Sequence, residues 1–383
     1  MAHPLLLATG TPTEIGAQYG QQAADLIAGN LDDYLRKFRD MSGWTAREVT
    51  EVGVIFQATT RQYVPRIAET LDAMADAAGI PVGDVYALNA RTELMLPPEL
   101  ARSANRPPSG AHRPTPSPTE CTGVAVLSEY TATGHTLLAQ NWDWYPSQAH
   151  YAVVLATRDE RDHTIVTMTE AGMLAKAGLN SRGVGVCVNL LGSDRDGATG
   201  GVPYHVLIRH VLDQPDGIAT SLRVTALPRS ASINLLIAVA GDTAAGGTAL
   251  DLELAPGAVG RVLPEGGLLT HSNHFVSSIA VRDRCYDLGG SSLFRDFRLR
   301  QLLTEAAAER RVTEGDVCEA LRDHLGYPSA ICRHVNPAEV ADGTASLTVS
   351  SVVMDLDARR LMVNDGPPCE SKYEVIDMET LTF

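Results

Sequence analysis

"ECTGVAVLSEYTATGHTLLAQNWDW", residues 120–144, sets two short apolar runs on either side of a Thr-Ala-Thr-Gly turn. The runs "CTGVAVLS" and "HTLLAQNW" read as strands, and the turn between them makes a hairpin the expected arrangement. Pairing them brings Asp143 and its neighbours beside Cys121. A thiol at the first position of a buried strand has two readings. It is a small core residue, since free cysteine is commonly buried, or it is a nucleophile that needs a base. The preceding segment bears on the choice. Residues 97–119 carry prolines at 97, 98, 107, 108, 114, 116 and 118, so they can form neither helix nor central strand and read as an exposed linker. Cleavage between Glu120 and Cys121 would create an α-amine with a reference pKa of about 8 on the same residue as the thiol, which supplies the base.

The second strand adds polar candidates. Gln140, Asn141 and Asp143 sit among Trp142, Trp144 and Tyr145. A carboxylate between tryptophans is tolerable only when hydrogen-bonded. The three aromatics are candidate walls of a substrate pocket.

Outward from the hairpin the period changes. Upstream, "TEIGAQYGQQAADLIAGNLDDYLRKF" places Ile15, Tyr19, Ala23, Ile27, Leu31, Tyr34 and Phe38 on one helical stripe, with Thr13 as the expected N-cap. A second helical stretch breaks near Pro65, and a third, short one follows at "VGDVYALNARTEL". Downstream come the β-like runs "HYAVVLAT", "HTIVTMTE", "VGVCVNLL", "INLLIAVAG" and "ALDLELA", interleaved with helical "PYHVLIRHVLDQ" and "GIATSLRVTAL". Helices return at "SLFRDFRLRQLLTEAAAERR" and "TEGDVCEALRDHL", and the chain closes on a hairpin. The organisation is therefore α+β: a helical segment over 1–96, the proline-rich linker over 97–120, and a core over 121–383 in which helices cover sheets.

Composition limits the partners. The 383 residues carry a net charge of −15, which argues against nucleic acid or an anionic membrane as partner. No apolar run reaches the length of a membrane span, and the N-terminus lacks the basic start of a signal peptide, so the expected location is cytoplasmic. The cysteines at 121, 187, 285, 318, 332 and 369 form no C-x-x-C pair. Cys332 with His334, and His271 with His274, are isolated pairs, so the spacing predicts neither a disulfide framework nor a metal site.

With these motifs in hand, the chain resembles the acyl-coenzyme A:6-aminopenicillanic acid acyltransferase family, a branch of the N-terminal-nucleophile hydrolases. The resemblance is carried by "GTPTEIGAQYGQQAADLI", "LNARTEL", "ECTGVAV", "AQNWDW", "AGLNSRGVGVCVNLL", "LLTHSNHF", "SSLFRDFRL", "AICRH" and "TVSSVVMDL" in family order. It implies a four-layer αββα sandwich made as a precursor. The precursor cuts itself before the nucleophile, and the small chain stays bound to the large one as its partner.

Carried over position by position, Cys121 matches the nucleophile and Glu120 the residue released from it. Asp143 matches the aspartate that holds the amine or thiol, and Asn273 the oxyanion-hole asparagine. Asn189 matches an asparagine near the tetrahedral intermediate, although inside an apolar strand it reads equally as a hydrogen-bond hub. Arg295 is the best match to a supporting arginine, with Arg298 one turn on as the alternative. Ser291 and Ser292 match a family stretch without a derivable role, Asn180 reads as a turn residue, and His271 and His274 read as structural. The chain is also similar to bile-salt hydrolases and penicillin V acylases, but it has Gln140 where those relatives carry arginine.

The implied activity is acyl transfer from a small amide or thioester through a Cys121 thioester, to water or to an amine, as in secondary metabolism. No cofactor is required, and a coenzyme A thioester is the candidate alternative donor. An uncut homologue that only binds small molecules is the non-enzymatic alternative.

Overall fold

The computed structural model describes residues 3–95, 121–197, 200–214, 217–241, 246–284, 290–309, 311–341 and 343–383. The cleavage position Glu120, the linker and Cys285 lie outside these residues.

The first segment is not wholly helical. β1 (Leu5–Gly10) pairs parallel with β4 (Ala152–Asp159), from Leu5 opposite Val154 to Gly10 opposite Asp159. A strand whose partner lies far along the chain, and which runs directly into a helix, gives no local turn signal. α1 (Pro12–Ser42) starts at Thr11, not Thr13. Thr11 and Glu14 form a capping box, and Pro12 occupies the first turn, where its missing N–H costs nothing. The expected stripe from Ile15 to Phe38 is buried throughout. α2 (Ala46–Tyr63) ends just before Pro65, which opens α3 (Pro65–Ala78). α4 (Val82–Asn89) and α5 (Arg91–Leu94) follow.

The strands β2 (Cys121–Val126), β3 (Leu137–Trp144), β5 (Thr164–Glu170), β6 (Ala177–Asn180), β7 (Val184–Leu190), β8 (Ile233–Val239), β9 (Thr248–Ala255) and β10 (Ala258–Val262) build most of the sandwich. β11 (Leu268–His271), β12 (Leu347–Asp355), β13 (Arg360–Val363) and β14 (Glu374–Asp377) complete it. One sheet has eight strands in the order β1-β4-β5-β6-β7-β8-β9-β10, and the other has six in the order β11-β2-β3-β12-β13-β14. The expected hairpin is present, with Cys121 opposite Trp142 and Thr122 opposite Asn141.

Alternation along the strands divides the core into three apolar layers. Val153 and Leu155 of β4 face α1–α4 and α6 (Tyr204–Leu212), whereas Ala152, Val154 and Ala156 face the other sheet. On β2, Cys121 and Ala125 point between the sheets. Val124 and Val126 point the opposite way, against Leu299 and Leu303 of α7 (Ser292–Glu309) and Val317 and Leu321 of α8 (Glu314–Leu321). Helix, sheet, sheet and helix are thus stacked as four layers, the αββα sandwich expected from the sequence. Because β1 is a strand of the larger sheet and α1–α4 cover it, residues 3–95 share one core with the rest of the chain rather than forming a separate domain.

Candidate active site

Cys121 opens β2 at the edge of the inter-sheet core, 5% exposed. Its thiol faces a small pocket walled by Trp142, Trp144, Val188, Leu190 and Tyr204, with Arg91, Thr92 and Lys176 completing the lining. The pocket aromatics expected from the sequence are partly right. Trp142 and Trp144 line it, whereas Tyr145 packs behind Trp144, edge to face at 5.4 Å between ring centres.

The backbone of Cys121 is held on both sides. Its N–H donates to Asn273 Oδ1 at 2.7 Å. Its carbonyl accepts from Arg295 Nη1 at 2.6 Å, and the same nitrogen donates to Thr122 Oγ1 at 2.6 Å. Arg295 Nη2 donates to Asn273 Oδ1 at 3.0 Å, so asparagine and arginine brace each other. Alternation explains the reach: Thr122 points away from the pocket, towards α7, which carries the fully buried Arg295. The structure thereby separates the two arginines. Arg298 turns outward and pairs with Asp323 at 2.8 Å.

The serines without a derivable role also find one. Ser291 Oγ accepts from Arg295 Nε at 2.9 Å, and Ser292 Oγ accepts the backbone N–H of Asn273 at 2.7 Å. Asn273 Nδ2 donates one hydrogen to Leu190 O at 2.9 Å. An amide nitrogen carries two.

Asp143 is fully buried, and its Oδ1 accepts from Thr348 Oγ1 at 2.6 Å. Thr348 in turn bonds the backbone N–H of Arg333 at 2.9 Å. Burial, then the Asp143 charge, push the Cys121 thiol up to about 11, against the backbone N–H of Asp143 and the charges of Lys176 and Arg295, which pull it down. In this environment the thiol is protonated at neutral pH and needs a base close by.

Asn189 is anchored in a buried hydrogen-bond network. Its Nδ2 donates to Asn234 Oδ1 at 2.9 Å and lies 3.4 Å from His271 Nδ1. These contacts are those of a hydrogen-bond hub, and its neighbours Val188 and Leu190 line the pocket. His271 belongs to the same network, with Nε2 on Glu253 at 2.9 Å. Burial alone would lower the His271 pKa, but Asp251 and Glu253 raise it to about 9. His274 binds Ser292 Oγ at 2.7 Å. Both histidines are held by buried or part-buried partners. Asn180 is the expected turn residue: its Oδ1 accepts the N–H groups of Arg182 and Val184, both at 3.0 Å.

Gln140 satisfies a backbone position that the sheet leaves open. β6 pairs with β7 only at Val186 and Gly185, so Val188 lies beyond that ladder. Gln140 takes over both groups: Oε1 accepts Val188 N–H at 3.0 Å and Nε2 donates to Val188 O. Guanidinium has no acceptor and could satisfy only the carbonyl.

The opposite wall of the pocket escaped the sequence reading. Glu170, fully buried, pairs with Lys176 at 2.9 Å and Arg91 at 3.1 Å, and accepts from the Tyr34 hydroxyl. Lys176 Nζ sits 4.1 Å from the centre of the Trp142 ring, and the Arg91 guanidinium 3.8 Å from that of Trp144. Aromatic faces attract cations, more so when desolvated. Burial works to raise Glu170, but the two cations bring it down to about 2. Burial and Arg91 push Lys176 down to about 8, with Glu170 and Cys121 opposing them. Two cations against one carboxylate leave this wall positive. The available signal was rarity: the chain has three lysines, Lys37, Lys176 and Lys372, and one of them lies in an apolar run between strands.

The family model for acyl-coenzyme A:6-aminopenicillanic acid acyl-transferase matches residues 131–363. The 40 kDa form of acyl-coenzyme A:6-aminopenicillanic-acid-acyltransferase from Emericella nidulans is 25% identical over 361 residues, 94% of this chain and 91% of that protein. Among solved structures, penicillin V acylase from Agrobacterium tumefaciens aligns at 14% identity with a TM-score of 0.40, over 68% of this chain and 87% of that one. An arginine-to-leucine variant of conjugated bile acid hydrolase from Clostridium perfringens aligns at 13% identity with a TM-score of 0.47, over 68% and 94%. Among the described residues no helix is long and apolar enough to cross a membrane.

Proposed function

The chain belongs to the acyl-coenzyme A:6-aminopenicillanic acid acyl-transferase family, and from that premise we propose that it is a self-processing acyl-transfer enzyme whose nucleophile is Cys121. One observation carries the reading: a buried thiol faces a pocket while its own backbone nitrogen is held by Asn273 and its carbonyl by Arg295.

In maturation, Cys121 Sγ attacks the carbonyl carbon of Glu120. The C–N bond to Cys121 breaks, its nitrogen gains a proton, and water then hydrolyses the resulting thioester, which leaves a free α-amine. Asn273 Oδ1 is already on that nitrogen and becomes the acceptor that orients the amine. In turnover, the amine takes the thiol proton as sulfur attacks the substrate acyl carbon. The second N–H of Asn273 Nδ2 donates to the oxyanion, and Lys176 across the pocket favours the thiolate. The leaving group departs with the proton from the ammonium. Water or an amine then attacks the acyl-enzyme through the same base.

The substrate is a small N-acyl compound, with hydrolysis as the main outcome. Trp142 and Trp144 take the apolar part. Trp142 Nε1, buried with no partner among the described residues, is a donor for a substrate carbonyl. The family supports an acyl-coenzyme A thioester as the alternative donor. The released small chain, residues 1–120, stays bound because β1 and α1–α4 share the core of the larger sheet.

The experiment is intact mass spectrometry of the processed protein with a panel of N-acyl amides and acyl-coenzyme A thioesters. An acyl adduct on the chain that begins at Cys121 supports the reading. Adducts that persist at full yield in Cys121→Ala overturn it.

A further inference from the structure

Sequence spacing offered no paired metal ligands, but the fold supplies the pairing. His324, Cys332 and His334 lie on the segment between α8 and β12, and Cys369 lies between β13 and β14. Their ligand atoms all fall within 4.8 Å of one another. The two sulfurs are 3.5 Å apart, and His334 Nε2 is 3.6 Å from Cys332 Sγ and 3.3 Å from Cys369 Sγ. His324 Nε2 is 3.2 Å from His334 Nε2.

These four separations are close to the edge lengths of a metal-centred tetrahedron, and the fourth ligand, His324, stays within 4.8 Å of both sulfurs. Zinc–sulfur bonds of about 2.3 Å and zinc–nitrogen bonds of about 2.05 Å, at tetrahedral angles, separate sulfurs by about 3.8 Å, sulfur from nitrogen by about 3.5 Å, and nitrogens by about 3.3 Å. A disulfide does not describe the cluster, because its bond is about 2.05 Å and both cysteines are free. Hydrogen bonding alone does not describe it either. Thiols are weak donors and acceptors, and one imidazole nitrogen would have to satisfy three neighbours.

The surroundings fit ligation. The other nitrogen of His334, Nδ1, lies 3.4 Å from Glu370 Oε1, the carboxylate–histidine arrangement that orients a metal-bound imidazole. The backbone N–H of Cys369 faces the Cys332 sulfur.

We propose that His324, Cys332, His334 and Cys369 form a structural zinc site. Two thiolates and two imidazoles in a tetrahedron select zinc among the common divalent ions, and four protein ligands leave no position for substrate. The site staples two loops behind the active centre. Ile331 O accepts from Asn141 Nδ2 at 2.9 Å, and Arg333 N–H reaches Thr348 Oγ1, which holds Asp143. Zinc therefore fixes the loop on which the Asp143 support rests, without taking part in the reaction.

The test is the zinc content of the untagged full-length chain, purified under reducing conditions without chelator, by inductively coupled plasma mass spectrometry. The expected result is about one zinc per chain, the stoichiometry of a single four-ligand site. His324 and Cys369 are exposed, so His324→Ala and Cys369→Ser should fold, as checked by circular dichroism, while their zinc falls to background. Cobalt(II) added to stripped protein should give the visible bands of a tetrahedral site and a thiolate-to-cobalt charge-transfer band, both missing in Cys369→Ser. Wild-type protein that holds no zinc and takes up neither zinc nor cobalt overturns the proposal. So does zinc retained undiminished in both variants.

Discussion

The two walls of the pocket are built on different principles. On the Cys121 wall, the groups that touch the nucleophile's backbone are one neutral amide, Asn273, and one arginine, Arg295, each held by a serine. On the facing wall, Arg91, Glu170 and Lys176 are buried ions that neutralise one another incompletely. The first wall holds a backbone and, in the proposed function, a transient oxyanion, so errors there are expected to cost turnover. The second holds charge against tryptophan faces inside the core, and errors there cost stability as well. Mutations on the two walls should therefore separate chemistry from folding.

Cys121→Ala should produce the largest effect on chemistry and almost none on folding. The chain should stay whole, and turnover should fall by at least about 10⁴-fold, as for loss of a catalytic nucleophile. Denaturing gels and steady-state rates check both. Asn273→Ala should come next. It should remain largely processed, because the self-cleavage carbonyl belongs to Glu120 and not to the substrate, but turn over roughly 10²–10³ more slowly, the usual effect of losing one oxyanion donor. Substrate affinity should change less. A processed variant with undiminished turnover would remove Asn273 from the oxyanion.

Glu170→Gln should reverse the pattern. Arg91 and Lys176 hold Glu170 at about 2 instead of its ordinary 4.5, so its ionised form contributes to stability. Because the folded pKa is the lower one, that contribution is present above pH 4.5 and is lost as pH falls towards 2. Denaturant unfolding should show Glu170→Gln less stable than wild type at pH 7, with a gap that narrows below pH 4.5. A gap that does not depend on pH would mean the carboxylate charge is not what stabilises the wall. The smallest effect belongs outside both walls. Arg298→Ala loses a partly exposed pair with Asp323 and should cost less than about 1 kcal/mol, with turnover unchanged. A large loss of turnover would return Arg298 to the site.

The same contrast governs what could be read from sequence. The β2–β3 hairpin is contiguous, so its alternation and turn announced both the strand pair and the thiol at its mouth. The roles of Asn273 and Arg295 came from resemblance, and the choice between Arg295 and Arg298 needed the face of α7. Glu170 and Lys176 meet across a strand connection, and Arg91 reaches them from another layer, so no local period marks them. Asn189 was ambiguous because an amide inside an apolar strand must be satisfied by something, and sequence does not say by what. β1 was hidden because its partner lies beyond α1–α5, and the Cys332–Cys369 pairing because β12 and β13 intervene.

The central claim is that Cys121 becomes a chain terminus. It is tested most directly by intact mass and N-terminal sequencing of the purified protein beside Cys121→Ala. The account predicts two associated chains of 120 and 263 residues, together the 383 of the sequence, the larger beginning Cys-Thr-Gly, and a single uncut chain for Cys121→Ala. A wild-type protein that turns over substrate as one intact chain, or a Cys121→Ala protein cut as efficiently as wild type, would contradict it.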